Sequence, residues 1–332
     1  MQNNPLVSII VPVYNVENFI EKCATTLFEQ DYDNIEYIFV NDCTPDSSIS
    51  VLKEIIEKYP NRKKNIKITN NIKNQGSSLS RKIGLDIANG EYILFVDSDD
   101  WVELDMVSSL VKEALNTSSD IVIYDYYIVY MNKKISKTNR SYKIKNINNI
   151  DQYFVNLLCN YIDSSLPIRL YKKQLFYNIT FPNFSMGEDT TISLQLFYNA
   201  DKISYLNKYL YYYNKNNTNS ICSNTKLLNK NINDLKDMNK FIINFLNDNN
   251  LNKYIEFHYQ RMCYIVIQTT LSKYKDAILF ICPEANKIKY IWKNKKLNLI
   301  KKIIYSFPFI GLGAFYEQIV KLYIKMRNKT DA

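Results

Sequence analysis

A single histidine, His258, and only six glycines are all that the 332-residue chain offers of two residue types that active sites often use. One imidazole excludes multi-histidine metal sites. It also confines any histidine-based dyad to the neighbourhood of "EFHYQRM", where His258 reads as a helix-face residue. A metal bound by this chain must therefore be held by oxygen. The six cysteines, Cys23, Cys43, Cys159, Cys222, Cys263 and Cys282, are scattered without a C-x-x-C pair, which argues against a disulfide framework or a zinc site. No apolar run approaches the roughly 20 residues that span a bilayer. The opening "MQNNPLVSII" lacks the basic start and small-residue cleavage site of a secretory leader, so a cytoplasmic chain is expected. A glycine-rich phosphate loop is missing as well: "PVYNVENF" has no glycine, which argues against nucleotidyl transfer to a sugar phosphate.

What remains is ordinary globular material, 46% hydrophobic and 23% charged, long enough for one large domain or two modest ones. The net charge of +9 is unevenly placed. Lysines crowd "NKKISKTNRSYKIKNINN" and the tail beyond residue 285. Neither region has the basic-aromatic platform or reading motif of a nucleic-acid binder.

The first hundred residues alternate between two periods. "LVSIIVPVY" is a continuous apolar run of strand length, as in a strand covered on both faces. Phe19, Ile20, Cys23 and Leu27 then recur at helical spacing. "IEYIFVND" is a second strand, and Ile49, Leu52, Ile55, Ile56 and Tyr59 form a second helical stripe ending near Pro60. "NIKITNN" is a third strand. Leu79, Ile83 and Ile87 mark a third helix, with Gly90 placed as its C-terminal stop. "YILFVD" is the fourth strand. The order βαβαβαβ predicts a parallel sheet with right-handed crossovers and helices on both faces.

Ligands of such sheets bind beyond the carboxyl ends of the strands. Those ends carry Pro12, Tyr14 and Asn15, then Asn41 and Asp42, then Asn74, then Asp97, Asp99 and Asp100. The last group closes "GEYILFVDSDDW", an apolar strand ending in three carboxylates. Groups this close repel unless a cation sits among them, and Mg²⁺ or Mn²⁺ takes carboxylate oxygens together with water and substrate phosphates. An Asp-rich turn capping the next helix reads equally well from these residues alone. Further on, "DIVIYDYYIVY" predicts a strand or hairpin arm, residues 131–150 an exposed connection, "GEDTTISLQLFYNA" a helix, and "KISYLNKYLYYYNK" a strand. The pattern is helical and lysine-rich beyond about residue 225.

Taken in order, "VSIIVPVYNVENFIEKC", "YIFVNDCTPDSS", "NQGSSLSRKIGLDIANGEYILFVDSDDW" and "MGEDTTISL" resemble successive motifs of the family 2 glycosyltransferases. The resemblance covers roughly the first two-thirds of the chain. It implies the GT-A fold: an α/β, Rossmann-like, mostly parallel sheet with helices on both faces, here over residues 1–222, followed by a helical, basic region over 223–332. It further implies an inverting transferase, of the hexosyl or N-acetylhexosaminyl class, that uses a nucleotide-sugar of UDP type. The acceptor would be a hydroxyl of a surface-polysaccharide, capsular or lipid-linked glycan, and the metal Mn²⁺ or Mg²⁺.

Carried over by position, Pro12 and Tyr14 would line the base pocket, and Asp42 would accept from the base N–H. Asn74 and Arg81 would contact the nucleotide. Asp97 would bind the ribose region and, with Asp99, the metal. Asp100 and Trp101 would lie by the donor sugar. Asp189 would be the general base with Glu188 its neighbour. An inverting displacement needs such a carboxylate to take the acceptor proton. Asp189 also sits at a predicted helix start, where the macrodipole favours its ionised form. Capping that helix is the alternative role for the same residue, and a surface ion pair is the alternative for Arg81. Many relatives carry a histidine or arginine after the base helix, but this chain has "YYYNKNNTNSI". Tyr213, Lys215 and Ser220 would take over there, with Lys215 and Ser220 on the diphosphate. Tyr211 to Tyr213 also read as a strand packed on the core.

The tail mixes Trp292, Phe307, Phe309 and Phe315 with Lys295, Lys296, Lys301 and Lys302. That is the make-up of a segment lying on an anionic membrane surface at the cytoplasmic face, and equally of a helical subdomain with a solvated basic face. A relative that keeps the fold but acts as a binding or scaffold protein is the second functional class. Its mark would be a broken carboxylate set, whereas Asp42, Asp97, Asp99 and Asp189 are all present.

Overall fold

A computed structural model of the chain describes residues 4–130, 135–137, 150–217, 228–270, 274–295, 297–316 and 318–319. Two units are distinguished: Met1–Phe154 with Ile162–Ser223, and Val155–Tyr161 with Asn224–Ala332.

The first unit is built on β1 (Val7–Val13), β2 (Ile35–Asn41), β3 (Ile66–Asn70) and β4 (Tyr92–Phe95). Every residue of β1 except Pro12 is buried, as its unbroken apolar run requires. The helices α1 (Ile20–Phe28), α2 (Ser48–Glu57), the single turn α3 (Pro60–Lys63) and α4 (Ser77–Asp86) connect these strands. Pro60 opens α3 rather than merely ending α2, because proline's missing N–H is an orphan donor in a first turn anyway. The pairings β3·β2, β2·β1 and β1·β4 are all parallel.

Beyond β4 the sheet turns mixed. β5 (Trp101–Val102), α5 (Met106–Thr117), β6 (Ile121–Val129), β7 (Ile135–Lys137), α6 (Ile150–Leu158), β8 (Arg169–Lys172), α7 (Glu188–Asn199) and β9 (Ile203–Asn214) follow in the chain. The sheet order is β3-β2-β1-β4-β8-β6-β9-β5, with β7 beside β6. β8 runs antiparallel to both β4 and β6, and β9 runs parallel to β6 with register shifts around Asp125. The tyrosine-rich segments predicted as strands are therefore neighbours in one sheet. Apart from β7, the 131–149 connection lies outside the described residues.

Two details of the third helix differ from expectation. α4 buries Ser78, Ser80, Arg81, Gly84 and Leu85, whereas Leu79, Ile83 and Ile87 lie on its more exposed side. The reason is Gly84: a β-carbon there would stand 2.4 Å from Ile10 Cγ2, so the helix approaches the sheet along its glycine. Gly90, expected to stop the helix, sits four residues past its end at Asp86. It is glycine because a β-carbon would meet the Ser8 backbone nitrogen at 2.6 Å.

The second unit is helical: α8 (Leu228–Asp248), α9 (Ile255–Thr270), α10 (Tyr274–Ile281), α11 (Ile288–Lys293) and α12 (Leu299–Ser306). Leu235, Met238, Ile242 and Leu246 recur at helical spacing on α8 and are buried with Met262, Cys263, Val266 and Ile267 of α9. His258 is also buried, its Nε2 2.9 Å from Asn239 Oδ1. Burial lowers its pKa to about 3, so the ring is a neutral interior group. Among the described residues no helix is long and apolar enough to cross a membrane.

Candidate active site

The strand order reverses between β1 and β4, and at their carboxyl ends the two strands part. Ile10 is the last β1 residue paired with β4, opposite Phe95. Ile10 O accepts from Val96 N towards β4, whereas Val13 O accepts from Asp42 N towards β2. Pro12 therefore faces the β4 side beyond the end of that ladder, where its missing N–H leaves no bond unmade. The crevice of the topological switch point opens there.

The loops around it are tied by side chains. Asn15 N donates to Thr44 Oγ1 at 2.8 Å, Val16 N to Ser48 Oγ at 3.0 Å and Glu17 N to Asp46 Oδ2 at 2.9 Å, so the loop after β1 is stitched to the loop after β2. Asp42 is buried. Its Oδ1 accepts from Asn71 Nδ2 and Gln75 N, and its Oδ2 from Gly76 N, each at 2.8 Å. Gly76, at φ +84°, turns that N–H inward at the start of α4, a conformation that favours glycine. Tyr14 is 46% exposed, Asn74 is exposed and Pro12 is half-buried, so these three face the opening.

Arg81 lies one turn before Gly84 and is buried by the same close approach of helix to sheet. Its Nη2 donates to Asp97 Oδ1 at 2.7 Å, and its Nη1 to Glu188 Oε1 at 2.8 Å and Asp189 Oδ1 at 3.1 Å. One guanidinium thus joins the acidic ends of two motifs that lie about ninety residues apart. Burial opposes its charge, but Asp189, Asp97 and Glu188 outweigh burial and hold it protonated. Arg81 is accordingly a buried ion-pair partner of three carboxylates and not a surface residue.

Gly187, at φ +91°, precedes α7, and no side chain caps the helix. Asp189 lies in the first turn with its carboxylate on Arg81, so pairing rather than capping is what it does. Its pKa does not follow the helix dipole. Burial raises it to about 7 against the pull of Arg81, with Glu188, Asp97 and Asp163 adding to the rise. Its side chain is still 28% exposed. Glu188 is pushed up by burial as well, and its Oε2 has no hydrogen-bond partner among the described residues.

The "DSDD" turn is fastened from β9. Asp97 N donates to Tyr211 Oη at 3.1 Å, and that hydroxyl donates to Asp100 Oδ2 at 2.6 Å. Asp100 Oδ1 accepts from Asn214 N at 2.7 Å. Asp100, expected by the donor sugar, is only 1% exposed and holds the turn to the strand. Asp99 Oδ2 accepts from Asn217 Nδ2 at 2.8 Å, and burial with the nearby Asp97 raises its pKa. Trp101 turns elsewhere. Successive strand residues face opposite sides, and Trp101 stacks on Tyr212 at 5.4 Å under the Lys22 ammonium, on the side away from Tyr211.

A cleft of about 270 Å³ lies against this turn, lined by Asp97, Asp163, Ser165, Tyr126, Tyr213 and Lys215 among others. Lys215 is exposed at its mouth, whereas Ser220 lies outside the described residues. Asp163 and Tyr126 were not anticipated. Asp163 Oδ2 accepts from Tyr126 Oη at 2.7 Å, and the loop is held by the buried Arg169, which donates to the carbonyls of Asp163 and Ser165. The antiparallel direction of β8 brings the loop before it to the carboxyl end of β4. No sequence pattern announced that reversal. Among the described residues no group of three or more His, Cys, Asp or Glu side chains is placed to hold a metal ion.

Residues 8–180 match the family model described as Glycosyl transferase family 2. Over 215 residues the chain is 35% identical to glycosyltransferase GlyA of Streptococcus pneumoniae, covering 62% of this chain and 30% of that one. It is 34% identical over 227 residues to the uncharacterized glycosyltransferase EpsJ of Bacillus subtilis, covering 64% and 62%. The chain thus spans less than two-thirds of these relatives' length. Among solved structures, residues 1–349 of Staphylococcus aureus TarS in complex with UDP-GlcNAc superpose with a TM-score of 0.67 at 21% identity, covering 96% of this chain and 92% of that one. The likeness shows the GT-A fold.

Proposed function

The chain belongs to glycosyl transferase family 2, and from that premise we propose that it transfers a sugar, with inversion, from a UDP-sugar to a hydroxyl of a glycan acceptor. The observation that carries this reading is the Arg81 cluster at the switch-point crevice, where the "DSDD" and "GED" carboxylates meet. The UDP-GlcNAc held by TarS supports the donor class. A surface-polysaccharide or lipid-linked glycan on the cytoplasmic side is the acceptor class that fits such a donor.

In this reading Tyr14, Pro12 and Asn74 meet the base at the open side of the crevice, and Asp42 shapes its floor by holding the loop at Gln75 and Gly76. Asp97 and Asp99 offer only oxygen donors, with no third protein ligand beside them among the described residues. This suits Mg²⁺ or Mn²⁺, which take one or two carboxylates and complete their shell from water and diphosphate. When bound, such an ion offsets charge on the leaving diphosphate. Lys215 adds a cation at the cleft mouth, and Ser220 follows on the same segment. Asp100, Tyr211 and Asn214 are positioning residues that hold the turn. Asp189 takes the acceptor proton, and Arg81 with Glu188 fixes its orientation.

Two variants separate the roles. Asp99→Ala abolishes metal-dependent UDP binding, whereas Asp189→Asn keeps that binding and loses transfer from a panel of UDP-sugars. Full transfer by Asp189→Asn would remove the base assignment.

A further inference from the structure

Helix α12 carries three of its four aliphatic side chains on the side that folding leaves uncovered, and the fourth, Ile304, is half-buried. Leu299, Ile300 and Ile303 are 63%, 67% and 44% exposed, while the buried residue of the helix is Ser306. At 100° per residue the three aliphatic residues fall within one arc of about 100°, with Lys301 and Lys302 outside it on either side. The exposed apolar surface continues beyond the helix through Ile310, Leu312 and Phe315, and Trp292 of α11 is exposed as well. An amphipathic helix of a folded domain normally points this face inward, and large exposed apolar patches mark contact sites.

Charge identifies the partner. Residues 285–332 contain eleven Lys or Arg and two acidic residues, and the remaining 284 contain thirty-one of each, so the whole +9 of the chain belongs to this segment. Glu256 pairs with Lys289 at 2.7 Å and Lys293 at 3.0 Å. Lys295 and Lys301 have no carboxylate partner among the described residues, and Lys302 Nζ donates to the Trp292 carbonyl at 2.7 Å rather than to a carboxylate. A two-fold pairing of copies through this face would set lysines against lysines. Nucleic acid would satisfy the lysines and leave the aliphatic side chains in water.

We propose that α12 and the turn after it, from Leu299 to Phe315, form a lipid-facing surface that rests in the headgroup region of an anionic bilayer, with the aliphatic arc inserted and the lysines on the headgroups. An eight-residue helix lies in the interface and does not span it. The inference does not rest on the transferase reading and can fail or hold without it.

The test is co-sedimentation of the full chain with vesicles of phosphatidylcholine alone or containing about one-third phosphatidylglycerol. Binding is expected to the anionic vesicles only and to weaken as salt rises. Leu299→Ser/Ile300→Ser/Ile303→Ser changes exposed positions, so its melting temperature should stay near that of the parent. Its vesicle partitioning should fall by about a hundredfold or more, from three partly inserted aliphatic chains. Lys295→Glu/Lys301→Glu should lose the salt-sensitive part of the binding. The proposal is overturned if the parent chain ignores anionic vesicles or if the triple variant binds them equally well. It is overturned too if the parent chain, without binding lipid, forms a dimer that the triple variant dissociates.

Discussion

Replacing Glu36 by glutamine should weaken the first unit in a way that depends on pH. Glu36 lies on β2, and its side chain is only 9% exposed. Oε1 accepts from Ser8 Oγ at 2.6 Å and from the backbone N–H of Asn89 and Gly90, and Oε2 from Lys67 Nζ at 2.9 Å. Burial raises its pKa, but these donors prevail and bring it from 4.5 down to about 2. A depression of that size corresponds to about 3 kcal/mol of folding free energy carried by the ionised form. Because the folded pKa is the lower one, this contribution is complete above pH 4.5 and fades as pH falls towards 2. By pH 3 about 2 of the 3 kcal/mol are lost.

Glutamine mimics the protonated acid, so the stability gap between parent and Glu36→Gln should be about 3 kcal/mol at pH 7 and about 1 kcal/mol at pH 3. The chain has two tryptophans, one in each unit. Urea unfolding in a Trp292→Phe background, followed by Trp101 emission, therefore reports the first unit alone. A gap below about 1 kcal/mol at pH 7, or one that stays constant down to pH 3, refutes the reasoning. The same network fixes the connection between α4 and β4, and so the helix that presents Arg81.

Three further outcomes are expected. A base must be ionised to accept a proton, so transfer should climb about tenfold per pH unit below 7 and level above it, with Asp189 at about 7. A rate independent of pH between 5 and 8 contradicts that assignment. Gly84→Ala should destabilise by about 1–3 kcal/mol in thermal melts although alanine favours helix, because its β-carbon collides with Ile10. Tyr211→Phe removes the hydroxyl linking Asp97 N to Asp100. It should cost about 1–3 kcal/mol of stability and weaken Mn²⁺ binding in the presence of UDP, as read by calorimetry.

Apart from the single turn α3, the strands and helices up to Phe95 were legible because each is a local pattern: an unbroken apolar run for a buried strand, a stripe every three or four residues for a helix. The strand ends, and so the residues at the crevice, followed from that order. What was not legible comes from partners distant in the chain. Arg81 reads as a nucleotide contact or a helix-surface cation, and its pairing shows only once Glu188 and Asp189 arrive from beyond a hundred residues away. Asp100 reads like its neighbours in "DSDD" until Tyr211 and Asn214 claim both its oxygens. Asp163 lies in an unremarkable loop, and only the antiparallel course of β8 brings it to the cleft. The apolar stripe of α4 misled for a related reason. Gly84 lets a polar face lie against the sheet, and no periodicity encodes that.

The most direct test of the account is the thermal stability of the chain with UDP, GDP and ADP, each with and without Mn²⁺. A ligand that binds only the folded state raises the melting temperature according to its occupancy. A rise with UDP that requires Mn²⁺ and disappears in Asp99→Ala is expected. A chain that melts at the same temperature with every nucleotide, metal present or absent, contradicts it.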